Sequence, residues 1–339
     1  MEHPPLQPTP VGALRFNTDS SKLEYYDGNQ WVNVTSDSPE VQTGGVRGLF
    51  MGGETPGFDA TIDYINVGST GSAADFGDLS GNTSIPSALA SRTRGVAGGG
   101  YTGSNTNKIE YVTISITSNT TDFGDLAESK HWVQAGGNQT RGIFAGGNAD
   151  SPVGHSNTIE YITIAATGNA ADFGDIARLP STSSGSAMNS PTRSVFGGGS
   201  DPSSNALNTI EYITIATLGN AADFGDLTDN KIRYGGCSNA IRGLMGGGAT
   251  PSITASITYI AIATLGNTLD FGDLTSARQN VAACASSTRA VWGGGSTPSD
   301  TNILDYVQIP STGNAVDFGN MTVTGDHRSG CSNGHGGLG

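Results

Sequence analysis

The sequence predicts an all-β chain built from six copies of one four-stranded unit, and three observations carry that prediction. Glycine supplies 51 of the 339 residues and charged residues only 14%, against averages of about 7% and 25%, a profile of turns and short strands. An arginine, a short apolar run and Gly-Gly recur six times, as RGLFMGG at Arg47, RGVAGGG at Arg94, RGIFAGG at Arg141, RSVFGGG at Arg193, RGLMGGG at Arg242 and RAVWGGG at Arg289, spaced by 47, 47, 52, 49 and 47 residues. Each copy is followed by an alternating segment centred on a tyrosine, such as TIEYITI, and then by Asp-Phe-Gly.

In chain order, the proline-rich start PPLQPTP leads into ALRFNTDSSKLEYYDGNQWVNV. That stretch reads as three short strands joined by N-T-D-S-S and D-G-N. Residues 1–41 are therefore assigned to an arm and a small β module, and 42–339 to the repeats. A segment of about forty residues is too small to bury its own core, so Phe16, Tyr25 and Trp31 are its expected assembly surface.

Each repeat reads as four strands. The arginine strand comes first, then the tyrosine strand, a T-G-N turn, the A-D-F-G-D-L strand and a small-residue stretch such as RQNVAACAS. Period-two alternation bounded by Gly, Asn and Ser favours strand over helix throughout. Four antiparallel strands per ~45 residues is the blade of a β-propeller. A parallel solenoid, with coils of ~20–30 residues, is the competing architecture.

Aligning each small-residue stretch on the arginine that follows places Leu89, Gly136, Met188, Cys237 and Cys284 in one column, and Cys331 of the final SGCSNGHGG joins them. The last stretch is then expected to complete the sheet that begins at Arg47, closing six blades and leaving no open edge. The column predicts small buried side chains at the cysteines.

The repeated polar residues are expected to be structural. Asp-Phe-Gly occurs in protein kinases as a magnesium-binding motif, but six copies without a phosphate loop or H-R-D point to a scaffold. Strand direction brings each arginine near the aspartate before the phenylalanine. This predicts the pairs Arg47 with Asp75, Arg94 with Asp122, Arg141 with Asp172, Arg193 with Asp223, Arg242 with Asp270 and Arg289 with Asp317, in the bidentate geometry guanidinium favours.

The T-G-N turns are nearly uniform, whereas the loops after Gly-Gly vary and share one rim with the connections after Asp-Phe-Gly. Any binding face is expected there, with Tyr101, Trp132, His155 and Tyr234 as candidates.

The repeat, with Gly-Gly ending one strand and Tyr64, Tyr111, Tyr161, Tyr212, Tyr259 and Tyr306 in the next, resembles the kelch repeat, with phenylalanine where kelch carries tryptophan. The resemblance implies a propeller. Gly12, Ala13, Leu14, Arg15, Phe16, Asn17, Thr18, Asp19, Lys22, Leu23, Glu24, Tyr26, Asp27, Gly28 and Trp31 resemble a module near the ends of tailed-phage fibre and other virion proteins. It implies a virion structural component, a tail, neck or head fibre or decoration subunit, assembled in the host cytoplasm. The module would dock on other virion proteins or on copies of itself, and the propeller would meet protein or host-surface polysaccharide. A kelch-like enzyme or carbohydrate-binding protein of bacterial origin is the alternative.

A net charge of −14 disfavours nucleic acid and anionic membranes. The apolar runs are far short of the ~18 residues that cross a bilayer, and the start lacks a signal-peptide pattern. No histidine pair has metal-ligand spacing, and G-x-S-x-G and H-E-x-x-H are absent. The sequence accordingly predicts no enzyme, no cofactor and no metal site.

Overall fold

The computed structural model describes residues 9–17, 22–33, 46–150, 154–177 and 187–338. The start of the proline-rich arm, most of the N-T-D-S-S turn and residues 178–186 lie outside them. The chain divides into two units, Met1–Thr43 and Gly44–Gly339.

In the first unit, β1 (Leu14–Asn17), β2 (Lys22–Tyr26) and β3 (Trp31–Asn33) form one antiparallel sheet in that order. Asp27 fixes the D-G-N turn: its Oδ1 accepts the N–H groups of Asn29 and Gln30, both at 2.8 Å. Leu14 pairs with Tyr25, so strand alternation sets Leu14, Phe16 and Tyr25 on one face, where they are 65%, 63% and 39% exposed. Trp31 departs from the expected surface. It pairs with Tyr26 and lies on the opposite face, half-buried, with the Arg15 guanidinium 4.2 Å above its ring and Arg15 Nε bonded to Glu24 at 2.8 Å. The cation covers an indole that would otherwise face water.

The second unit is all-β and propeller-like, with six four-stranded antiparallel sheets. The second holds Ser87–Ala90, Arg94–Gly98, Lys108–Thr113 and Thr121–Asp125 from innermost to outermost, and the others repeat that order. In every sheet the innermost strand comes from the small-residue stretch that precedes the arginine. For the first sheet that strand is Ser329–Ser332, which pairs with Arg47–Glu54 and sets Cys331 opposite Leu49. Small residues are required there because the innermost strands crowd one another: Ser329–Ser332, Ser87–Ala90, Gln134–Gly137, Met188–Asn189, Gly235–Ser238 and Ala282–Ala285 each contact the next, and the last contacts the first.

The apolar cores lie between sheets. Leu49, Met51, Ile62 and Phe76 of the first sheet pack with Ala88, Ala90, Ala97 and Val112 of the second. Within each sheet the tyrosine meets the Asp-Phe-Gly phenylalanine edge to face, Tyr64 on Phe76 at 5.9 Å through Tyr306 on Phe318 at 5.7 Å. Such pairs contribute about 0.5–1.5 kcal/mol beyond burial. Cys237, Cys284 and Cys331 are buried and unbridged, with thiol pKa values raised by burial, Cys331 to about 12.

The arginines are scaffold elements with partners other than those expected. Asp75, Asp122, Asp172, Asp223, Asp270 and Asp317 are exposed, and none lies within ion-pair distance of Arg47, Arg94, Arg141, Arg193, Arg242 or Arg289. Each guanidinium instead lies 4.4–4.9 Å over the tyrosine ring of its own sheet. Its Nη1 donates to a main-chain carbonyl of the neighbouring sheet: Arg47 to Ile114, Arg94 to Ile164, Arg141 to Ile215, Arg193 to Ile262, Arg242 to Ile309 and Arg289 to Val67. A tyrosine face and a carbonyl hold the cation without drawing a carboxylate out of water, which a buried ion pair would require.

Two more circuits join the sheets. The acid before each tyrosine is buried and accepts the N–H at the turn after the previous sheet's outermost strand: Glu110 from Ser80, Glu160 from Ala127, Glu211 from Ala177, Asp305 from Thr275 and Asp63 from Thr322. Where Thr258 replaces the acid, Thr268 Oγ1 accepts the Thr228 N–H instead. Around the outside, the turn asparagine of the second to sixth sheets accepts the N–H that ends the previous Asp-Phe-Gly-Asp strand, as Asn119 does from Asp78 and Asn267 from Asp226, and Ser72 takes that place in the first sheet, accepting from Asn320. The glycine of Asp-Phe-Gly permits this approach. A Cβ on Gly225, at φ +146°, would stand 2.5 Å from the Gly266 carbonyl oxygen.

Candidate functional site

The Gly-Gly loops and the connections into the innermost strands meet at one rim, as antiparallel register requires. Main-chain bridges tie them there, Glu54 with Asp326, Ser84 with Tyr101 and Gln279 with Ser296. Five residues stand two positions before an innermost strand and share a left-handed conformation: Ile85, Trp132, Arg233, Asn280 and His327, with φ of 54–58°. Side chains with a Cβ avoid this region at a cost of order 1–3 kcal/mol. Hydrogen bonds between equivalent positions hold it: Asn280 N–H to Arg233 O, His327 N–H to Asn280 O and Ile85 N–H to His327 O. Strained residues thus ring the mouth enclosed by the innermost strands.

The structure brings three of the four expected rim residues into one neighbourhood. Tyr101 packs edge-on against Phe58 at 5.6 Å and against His131 at 5.6 Å. His131 adjoins Trp132 at 6.1 Å, and Trp132 meets His327 edge-on at 5.2 Å. His131 Nδ1 lies 2.6 Å from Asn105 Oδ1, Asn105 donates to Asn148 O, and Asn148 bridges to His155. Tyr101 and His155 are half-buried, but Trp132 is 7% exposed and forms the floor of the cluster rather than a contact surface. Tyr234 is a correction. It is fully buried, donating its hydroxyl to Gly197 O at 2.6 Å and accepting from Gln134 at 3.0 Å. Its ring stands against Gly198 and its Cβ against Gly248, filling space that an exposed connection would leave empty.

Charged groups that the sequence reading passed over complete the rim. His327 Nδ1 lies 2.7 Å from Asp326 Oδ1 and 4.0 Å from Glu54 Oε1. Asn280 donates to Asp326 Oδ2 at 2.9 Å, and Ser84 to Glu54 Oε1 at 2.6 Å. Burial pushes the Asp326 carboxyl up, but hydrogen bonds from His327 and Asn280 and the His327 charge outweigh it and hold it below the usual range. Asp300 is raised by burial and then by the neighbouring Asp326 charge. Burial lowers His131 to about 4, so it is neutral at physiological pH. No sequence spacing signals this group, because Glu54 and Asp326 come from opposite ends of the repeat array.

At the other end of the enclosure the C-terminal residues fold inward. His335 Nε2 meets Ala90 O at 2.8 Å, Arg92 donates to Leu338 O at 2.8 Å, and a short 3-10 turn at Gly336–Leu338 lies against Met188–Asn189 and Gly235–Ser238. A small cavity lined by Ala88, Cys237, Cys284, Cys331 and His335 remains above it.

The chain matches no protein-family model and no curated protein.

Proposed function

We propose that the chain is a non-enzymatic virion structural protein, a fibre or decoration subunit in which a six-bladed propeller, closed by its C-terminal strand, is displayed by a small N-terminal assembly module. The observation that carries this reading is the apolar face of that module. Leu14, Phe16 and Tyr25 stand in water on a sheet too small to cover them, and burying each aromatic against a partner is worth on the order of 1.5–3 kcal/mol. Other virion proteins, or copies of the chain, are the occupants this reading assigns.

Closure is supported by the three circuits between sheets, each of which runs from the sixth sheet to the first through Arg289 and Val67, Thr322 and Asp63, and Asn320 and Ser72. Such a ring is a rigid mount for the variable loops, and the rim is assigned to contact protein or host-surface glycan. A chain starting at residue 42 should fold, remain monomeric and be excluded from particles that take up the full chain. Its recovery in those particles at the same copy number would refute the role given to the module.

A further inference from the structure

The polar cluster of the rim has the composition of a cation site. Glu54 ends the second strand of the first sheet, and Asp326 and His327 lead into the innermost strand of the same sheet. Glu54 and Asp326 exchange main-chain hydrogen bonds of 2.9 and 3.1 Å, so the donor groups are mounted on one rigid frame. Their ligand atoms all lie within 4.8 Å of one another. A zinc-sized ion with bonds near 2.0–2.2 Å holds its ligand atoms ~3.3 Å apart, between the 2.7 and 4.0 Å separations found here.

A second, independent observation points to the same place. Asn280 is 4% exposed and meets the cluster through its amide, yet its Oδ1 is buried without a partner. Its Nδ2 donates to Asp326 Oδ2 at 2.9 Å, so the unpartnered oxygen of the same amide is a neutral lone-pair donor left beside the cluster. No lysine or arginine among the described residues lies within ion-pair distance of Glu54 or Asp326, and the one imidazole that does, His327, can balance at most one of the two carboxylates.

We propose that Glu54, Asp326 and His327, with Asn280 as a supporting group, bind one first-row divalent cation at the rim. The imidazole selects against calcium and magnesium, which favour all-oxygen shells.

Zinc alone, titrated calorimetrically into chelator-treated full-length protein, should bind one ion per chain. His327→Gln and Glu54→Gln should each weaken binding by about 100-fold, and Asn280→Ala by about 10-fold, while His155→Gln leaves it unchanged. Circular dichroism identifies any variant that fails to fold, and since His327 and Glu54 lie on different segments, either folded variant suffices. Absence of saturable zinc binding by the unmodified chain, binding that survives His327→Gln or Glu54→Gln in a folded protein, or displacement of zinc by equimolar calcium would overturn the assignment.

Discussion

Replacing Lys231 by methionine should stabilise the protein, whereas the same change at Lys130, two repeats earlier, should destabilise it. Both lysines are buried, at 2% and 0% exposure. Lys130 reaches Glu160 at 3.4 Å and Thr158 at 3.1 Å. Lys231 donates to the Ser256 carbonyl at 3.2 Å and has no carboxylate within ion-pair distance among the described residues. Burial lowers its pKa from 10.5 to about 8. The unfolded chain therefore holds that proton between pH 8 and 10.5 while the folded chain releases it. Stability should rise with pH across this window, and below pH 8 the folded state carries a constant penalty of about 3 kcal/mol. Methionine removes the penalty but loses one hydrogen bond, a net gain of about 1–3 kcal/mol at pH 7. At about 2–4 °C per kcal/mol, calorimetry should show Tm several degrees higher for Lys231→Met. Lys130→Met strands Glu160 in the interior and should cost about 3–5 kcal/mol. A fall in Tm for Lys231→Met, or equal effects of the two substitutions, would refute the distinction between a paired and an unpaired buried charge.

Arg193→Ala loses hydrogen bonds to Ile262 O and Ala263 O and the stack on Tyr212, an expected cost of about 1–3 kcal/mol in urea titration. Asp223→Ala, at an exposed site, should stay within about 0.5 kcal/mol of the parent; equal losses would restore the ion-pair scheme. Gly225→Ala should cost several kcal/mol, because its Cβ would meet the Gly266 carbonyl at 2.5 Å, and an unchanged melting curve would remove that contact from the argument. His131 is neutral in the folded state down to about pH 4 but protonates near 6.5 when unfolded, so its contribution is intact above pH 6.5 and declines as pH falls toward 4. His131→Phe should flatten that part of the stability profile, and an unaltered slope would count against it.

The strands were legible because alternation and Gly-Gly punctuation repeat six times, and the column of Leu89, Gly136, Met188, Cys237, Cys284 and Cys331 identified the innermost strand. The arginine partners were not. A main-chain carbonyl in the next sheet leaves no residue signature, whereas the exposed Asp75 and its equivalents drew attention as visible carboxylates. The buried acids Asp63, Glu110, Glu160, Glu211 and Asp305 stood in plain view, each between apolar neighbours of an alternating strand, and that placement was the signal to read. Tyr234 reads as a rim residue because it lies in a connection after Asp-Phe-Gly, yet both it and Lys231 of that connection are buried. The rim cluster combines residues from the first and last repeats, which only the folded chain brings together.

Closure of the six sheets by the last strand is the claim on which the rest depends. A chain ending at residue 325 lacks the strand Ser329–Ser332 and leaves Arg47–Glu54 without its inner neighbour. The account predicts a large fall in Tm, with hydrogen exchange lost first in Arg47–Glu54 and Phe58–Asn66 and spreading to the second and sixth sheets. Unchanged melting, with Arg47–Glu54 as protected as in the full chain, would contradict it.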